Sequence, residues 1–71
     1  MYIRSQDKEE LIKFSRVSIE CSSDGYYISV PDVSSYHSIG DYKSKKRCIA
    51  ILDELQTAID RGLSTFNMPK E

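Results

Sequence analysis

One segment near the carboxyl end repeats apolar residues at helical spacing, from Ser44 to Gly62 (SKKRCIAILDELQTAIDRG). The spacing i, i+3, i+4, i+7 and i+11 describes one stripe on an α-helix, with Ile49 on its flank. The stripe residues are Cys48, Ile51, Leu52, Leu55 and Ile59. Ser44 is a good N-cap, Gly62 suits the left-handed residue that follows a helix, and Leu63 suits the apolar contact of a Schellman motif. These signals agree and predict an amphipathic helix of about 17 residues.

The chain before this helix has shorter runs of a different pattern. The runs are YIRS, LIKF, VSIE, YYISV and SYHSIGDY, all within residues 2–42. The charged segment QDKEE forms a turn between the first two runs. A second turn covers Ser22-Ser23-Asp24-Gly25, where Gly25 can adopt a positive φ. Enrichment in β-branched and aromatic residues between turns predicts four to five short strands.

The parity of the apolar positions changes between the second and third runs. Ile12 and Phe14 share one parity, whereas Val17 and Ile19 share the other. A single straight strand would turn one of these pairs away from the core. We therefore expect a bulge or a sharp bend near Ser15-Arg16.

The run after Gly25 alternates as expected for a sheet with one buried face and one face in water. Tyr26, Ile28 and Val30 are predicted on the buried face, and Tyr27 and Ser29 on the other.

The last strand is separated from this one by turn formers. Pro31-Asp32 ends the preceding strand, and Val33-Ser34-Ser35 is expected to form a flexible connection. In the last strand Ile39 is predicted to point inward. Gly40 marks either a kink or a place where the helix approaches the sheet closely.

Together these elements predict an α+β fold, in which a single antiparallel sheet of four to five short strands carries one C-terminal amphipathic helix on one face. We expect one domain over residues 1–63. Residues 64–71 are then a tail that is either docked or frayed, with fraying and partial disorder as the default expectation for a terminus.

Both ends of the chain resemble small uncharacterised proteins encoded by Gram-positive bacteria and their phages or integrated elements. Those proteins open with tryptophan or tyrosine followed by IRSQDK and an apolar triplet, as in YIRSQDKEELIKF here. They close with a pattern like LGxYxSxERAxxVLDEI, matched by Ile39-Gly40, Tyr42, Ser44, Arg47 and the segment from Ile51 to Leu55. The resemblance leaves residues 15–38 without a counterpart. It implies a compact strand-rich domain with a C-terminal helix, and it implies no activity.

This chain departs from that family pattern in the first helical turn. Lys45 and Lys46 stand where the pattern has mostly acidic residues, and Cys48 stands where it has alanine.

Charge and composition narrow the class of protein. The 10 lysines and arginines are balanced by 11 acids, giving a net charge of −1, which argues against a dedicated binder of bulk nucleic acid or of anionic membranes. No secretion signal is recognisable, and no run approaches the roughly 20 apolar residues of a membrane span. We expect a cytoplasmic protein with reduced thiols, no membrane association and no cofactor, in which Cys48 is a small core residue.

A cluster of basic residues at the start of the helix is at odds with local electrostatics. It consists of Lys43, Lys45, Lys46 and Arg47. Positive charge there faces the positive end of the helix dipole, at a cost of about 0.3–1 kcal/mol per residue at low salt. A solvated charge run is the favoured interpretation, with Asp41 as one available acid. The alternative is contact with an anion, a phosphate or a nucleic-acid backbone.

Catalytic and metal-binding arrangements are scarce in the sequence. His37 is the only histidine, so it cannot form a two-histidine metal site, and we interpret it as an exposed strand residue. Neither Cys21 nor Cys48 has metal-site spacing. No phosphate loop, paired carboxylate motif or nucleophile elbow is present. The chain is therefore expected not to be an enzyme.

The five tyrosines spread over several predicted strands, where cross-strand packing accounts for most of them. Tyr27 and one of Tyr36 or Tyr42 are predicted to share the outer face of the sheet. Two neighbouring rings there would form either a weak base-stacking platform or the centre of a protein interface, and the interface is favoured.

The segment Arg4-Ser5-Gln6-Asp7-Lys8 is polar, and we interpret it as a turn-stabilising network rather than a ligand site. Asp7 can cap the turn through its own carboxylate. Arg4 is expected to pair with Glu20 or Asp7.

The sequence does not specify a biochemical function. The favoured hypothesis is a non-enzymatic accessory or protein-interaction domain, which presents its sheet, a strand edge or its helix to a protein partner or to a second copy of itself. The alternative is nucleic-acid or phosphate-ligand binding through the basic first turn of the helix.

Overall fold

The structure, a computed structural model, describes residues 1–31 and 35–71. In chain order its elements are β1 (Tyr2–Arg4), β2 (Leu11–Lys13), β3 (Ser18–Ser22), β4 (Gly25–Pro31), β5 (Tyr36–Tyr42), α1 (Lys45–Asp60) and β6 (Thr65–Asn67). The predicted α+β class with one amphipathic helix is confirmed. The described residues do not include Asp32, Val33 and Ser34. Most of the flexible connection predicted between the last two strands before the helix therefore lies outside them.

The single sheet that the sequence predicted is wrong. The described residues form two three-stranded sheets, with strand orders β2-β1-β6 and β3-β4-β5. The chain leaves the first sheet after Lys13 and enters the second at Ser18. Of the two predicted alternatives, the bend is confirmed: the chain bends at Ser15. It passes there from one sheet to the other, so the parity change does not mark a bulge within one strand.

The segment after the helix is docked, which corrects our default expectation of a frayed tail. Strand β6 pairs parallel to β1, with Tyr2 opposite Thr65 and Ile3 opposite Phe66. The Met68 N–H then donates to the Arg4 carbonyl at 3.0 Å, and the Met68 side chain is buried. Two apolar side chains and a backbone ladder thus hold this end of the chain.

Both predicted caps of the helix are confirmed. The Ser44 hydroxyl accepts from the Arg47 N–H at 3.1 Å. At the other end Gly62 has a φ of 73°, its N–H donates to the Ile59 carbonyl, and the Leu63 N–H donates to the Ala58 carbonyl, both at 3.0 Å. These two bonds are the 5→2 and 6→1 pair of a Schellman motif.

Both sheets and the helix share one core. Its buried residues are Ile3, Ile28, Val30, Ile39, Tyr42, Cys48, Ile51, Leu55 and Met68. Ile59 was predicted to join them but is 51% exposed, whereas Ala58 is buried in its place. Ile59 lies about 20° of helical rotation from the buried Cys48, so its exposure goes with its place in the last turn of α1 and not with a turn away from the core face.

Two positions in the second sheet differ from the predicted alternation. Ser29, expected in water, is fully buried, and its hydroxyl lies 3.5 Å from that of Ser18. The register between β4 and β5 shifts beside it, where Ile39 of β5 is the extra residue. The close approach expected at Gly40 is made by Tyr42 of the same strand and not by the helix. A Cβ at Gly40 would lie 2.8 Å from the Tyr42 ring.

Candidate functional site

The predicted basic cluster is divided by the fold. Lys43 and Arg47 line a cleft of about 450 Å³ at the start of α1, together with Asp41, Tyr42, Lys70 and Glu71. Lys45 and Lys46 are exposed and do not line this cleft. Within the described residues, neither of these two lysines forms an ion pair.

Arg47 is already engaged on two sides. Its Nε donates to a Glu71 oxygen at 2.9 Å, and its Nη1 lies 3.3 Å from Glu54 Oε2. The charge of Arg47 is therefore balanced within the chain. This geometry makes Arg47 a tether for the final residues as well as a cleft residue.

Three side chains fasten three consecutive residues of the tail. The Tyr42 hydroxyl donates to the Pro69 carbonyl at 2.7 Å, and Gln6 Nε2 donates to the Lys70 carbonyl at 2.7 Å. The Arg47 bond to Glu71 completes the series. Lys70 enters the cleft only because of these bonds. The sequence interpretation missed Lys70 for that reason, since it treated the tail as frayed.

Tyr42 is a core residue, which corrects its prediction as part of an outer interface. It is 5% exposed, and burial raises the pKa of its hydroxyl to about 12. Tyr27 is half-buried opposite Asp41, whereas Tyr36 is 53% exposed opposite Pro31. The register thus separates Tyr27 from Tyr36 along the strands, so the predicted tyrosine platform is absent from the described residues.

The Arg4 to Lys8 segment is a hydrogen-bonded turn, as predicted. Asp7 Oδ1 accepts from the Ser5 hydroxyl at 2.6 Å and from the Glu9 N–H at 2.9 Å. These bonds, the Ser5 bond foremost, lower the pKa of the Asp7 carboxyl. The partner predicted for Arg4 was wrong, because its Nε donates to the Lys8 carbonyl at 2.8 Å.

Gln6 connects the turn to the second sheet. Its backbone N–H donates to the Ile39 carbonyl at 2.9 Å. Its side chain accepts from the Asp41 N–H at 2.8 Å and donates to the Asp41 carbonyl at 2.9 Å. Gln6 thus satisfies backbone groups of β5 and also holds Lys70, so the polar opening motif has a structural role.

His37 also connects the two halves of the molecule. Its Nε2 lies 2.6 Å from Glu10 Oε2, with both side chains a little over two-fifths exposed. The exposed strand position predicted for His37 is therefore confirmed only in part, because the ring is paired with a carboxylate.

The described residues contain little that could hold a metal or activate a nucleophile. They include no group of three metal-ligating side chains. Both cysteines are free thiols, Cys21 exposed and Cys48 buried, and burial raises the pKa of Cys48. No helix in the described part of the chain is long and apolar enough to cross a membrane.

One surface of α1 was not recognised as a site in the sequence. Ile49, Leu52 and Ile59 lie within about 80° of arc on one side of the helix. Ile49 and Ile59 are 46% and 51% exposed, and Leu52 is half-buried. We name these three residues the apolar flank. It provides two of the six exposed large apolar side chains in the described residues. Leu63 lies beyond the end of α1 and lines a different cleft with Ala58 and Phe66.

Comparisons with protein-family models, with curated proteins and with solved structures gave no match. The resemblance at the two ends of the chain stays a prediction.

Proposed function

We propose that this protein is a non-enzymatic interaction protein that binds another protein through the apolar flank of α1. The single observation that carries this proposal is the exposure of Ile49 and Ile59 on a helix whose core face is fully used. Scattered apolar side chains are ordinary on a surface, whereas an aligned apolar strip is typical of a binding site. Each Å² of this apolar surface that a partner covers would contribute about 25 cal/mol to binding.

The edge of the second sheet supports the same proposal. The strand order β3-β4-β5 leaves β3 at an edge, and α1 contacts β3. An edge strand presents backbone N–H and C=O groups that can pair with another chain. A partner could therefore combine apolar contact with the helix and backbone pairing with the sheet.

The test compares three forms of the protein as affinity baits: wild type, Ile49→Glu/Ile59→Glu and the matched control Leu11→Glu. Leu11 is 58% exposed on β2, so its replacement adds a charge at an exposed apolar site on another element. We expect a partner that wild type and the control retain and that the flank variant loses. Binding of that partner, purified, is then measured by calorimetry.

Equal capture of every partner by the flank variant would count against the proposal, provided that circular dichroism shows it folded. Absence of any partner, including a second copy of the chain, would count against it equally.

A second candidate function is binding of a phosphate group or a nucleic-acid backbone. The observation that favours it is the convergence of Lys43, Arg47 and Lys70 on one cleft, with Lys45 and Lys46 unpaired nearby in the described structure. Asp41 and Glu71 line the same cleft and reduce its positive potential. This mixture of charges is why we rank the candidate second.

Its test is the salt dependence of binding to a single-stranded oligonucleotide. Replacing Lys45 and Lys46 by glutamate should weaken binding and lower the slope of log K against log salt by about 1.4, or 0.7 per lost phosphate contact. Lys13→Glu, on an exposed β2 residue, is the control for net charge. An unchanged slope in this double variant would show that Lys45 and Lys46 contact no phosphate. An unchanged slope in Lys43→Glu/Lys70→Glu as well, which alters the cleft itself, would exclude this candidate.

A further inference from the structure

The apolar flank follows a seven-residue pattern. Ile49 and Gln56 are seven apart, and Lys45, Leu52 and Ile59 are spaced by seven as well, all within α1. Residues at these alternating three- and four-residue steps form the a and d seam by which one α-helix packs along another. The seam shares Leu52 and Ile59 with the predicted stripe, but it does not include the buried residues Cys48, Ile51, Leu55 and Ala58.

The charges beside the seam are arranged against the dipole of their own helix. The first turn of α1 has no acid, and its last turn has no basic residue. Lys46 near the start and Asp60 at the end lie on the same side of the seam, seven residues on either side of Asp53. All three side chains are exposed. A helix alone in water gains nothing from this arrangement, because each terminal charge opposes the dipole.

A second copy of α1 running in the opposite direction complements both features. A two-fold axis near the middle of the helix would place Ile49 against Ile59 of the other copy, and Leu52 against its Gln56. The same flanks of the two helices then meet, so Lys46 faces Asp60 of the other copy on both sides of the axis. The dipoles of the two helices then run in opposite directions, and each Lys46 lies beside an Asp60 of opposite charge. Both interactions are favourable in the same arrangement.

We propose that this chain forms a two-fold symmetric homodimer through antiparallel packing of α1 along the seam Ile49, Leu52, Gln56 and Ile59. This inference rests on the proposed function, because it names the occupant of the same surface. Charge complementarity decides for a second copy over a foreign helix, and for the antiparallel over the parallel direction. In a parallel pair Lys46 would not meet an acid, since the opposite flank there carries Cys48 and Leu55.

The test is sedimentation velocity of the full chain from micromolar to millimolar concentration. We expect a concentration-dependent dimer that Ile49→Glu weakens by about tenfold or more. Lys46→Glu and Asp60→Lys are each expected to weaken it by about threefold to tenfold, and the double variant is expected to recover most of the loss. Lys13→Glu serves as the control and should leave the dimer unchanged.

The charge variants also separate association from folding. Both reversals bring the helix termini into agreement with the dipole, so each should maintain or raise the melting temperature measured at low concentration. Asp53 would lie opposite itself at the axis, and Asp53→Asn should therefore tighten the dimer.

A monomer at every concentration would overturn this inference. An Ile49→Glu variant with an unchanged dimer dissociation constant would overturn it as well. So would a charge-swapped double variant that dimerises as weakly as the single variants. If the monomer still captures a foreign partner in a flank-dependent manner, the proposed function stands and only the homodimer is rejected.

Discussion

Ile51 and Ile59 are the same residue type on the same helix, yet Ile51 is fully buried and Ile59 is half exposed. Ile51 belongs to the core face of α1 with Cys48 and Leu55, whereas Ile59 belongs to the apolar flank. Both faces are apolar and both follow helical spacing, so periodicity alone assigned them to one wide stripe. The difference teaches that hydrophobic pattern identifies surfaces that need a partner without saying whether the partner is the protein's own sheet or another molecule.

The largest expected effect tests this contrast directly. Ile51→Ala should lower the free energy of unfolding by about 2–5 kcal/mol, because it leaves a cavity in a closed core. Ile59→Ala should change it by less than about 0.5 kcal/mol at concentrations where the protein is monomeric. Urea denaturation of both variants gives the measurement. If the two variants lose equal free energy of unfolding, the core face and the apolar flank do not differ in their contribution to stability.

A smaller effect is expected at Gly40, whose backbone lies against the ring of the buried core residue Tyr42. Gly40→Ala should destabilise the protein by about 1–3 kcal/mol through overpacking, since the new Cβ would meet the Tyr42 ring at 2.8 Å. The same substitution in a Tyr42→Leu background should cost much less. Thermal unfolding of the four proteins in this cycle tests whether the ring causes the loss.

The next effect concerns Gly62, which follows the end of α1 and so bears on the core face and the apolar flank alike. Gly62→Ala should cost about 1–2 kcal/mol, because the Schellman motif needs a left-handed residue there. A Cβ at Gly62 meets no atom within 4 Å, so the cost arises from backbone conformation and not from a clash. Gly62→Asn should therefore recover part of the loss in denaturant titration. An alanine variant as stable as wild type would contradict this account.

The smallest effect concerns the hydroxyl of Tyr42, on the core side of the comparison. Tyr42→Phe should cost about 0.5–1.5 kcal/mol at neutral pH, because it removes the bond to Pro69. The pKa of Tyr42 is raised from 10.0 to about 12, so the folded state holds the proton more tightly than the unfolded state. This contribution is present below pH 10 and is lost as the pH rises from about 10 to about 12.

Stability measured against pH should consequently fall more steeply for wild type than for Tyr42→Phe above pH 10. Parallel curves for the two proteins would show that the Tyr42 hydroxyl is not the group responsible.

The parts of the fold that the sequence predicted are those with local causes. Ser44 and Gly62 act on backbone groups within one turn, and the Gly25 turn needs only its own positive φ, which is 144°. The division into two sheets has no local cause. A parity change at Ser15-Arg16 is the same signal whether the strand bulges or the chain crosses to another sheet, because only distant strands decide between them.

The candidate site was predictable to the same extent. Lys43 and Arg47 were recognised from their position before and within the helix, but Lys70 reaches the cleft through Gln6, 64 residues away in the chain. Tyr42 was misassigned because an aromatic residue on a strand can face either side, and the bond to Pro69 depends on the docked tail. Ile49 was noted beside the stripe, but periodicity alone does not say whether this side of the helix is covered.

The parallel pairing of β1 with β6 has a consequence for the order of assembly. The second sheet and the helix are formed by contacts between residues that are close in the chain. The pairing of β1 with β6, in contrast, brings Tyr2 opposite Thr65. During synthesis on the ribosome, β1 and β2 have no third strand until β6 (Thr65–Asn67) has been added. We expect the segment from Ser18 to Asp60 to collapse first and the amino-terminal hairpin to be fastened last, as the slow, entropically costly step of folding.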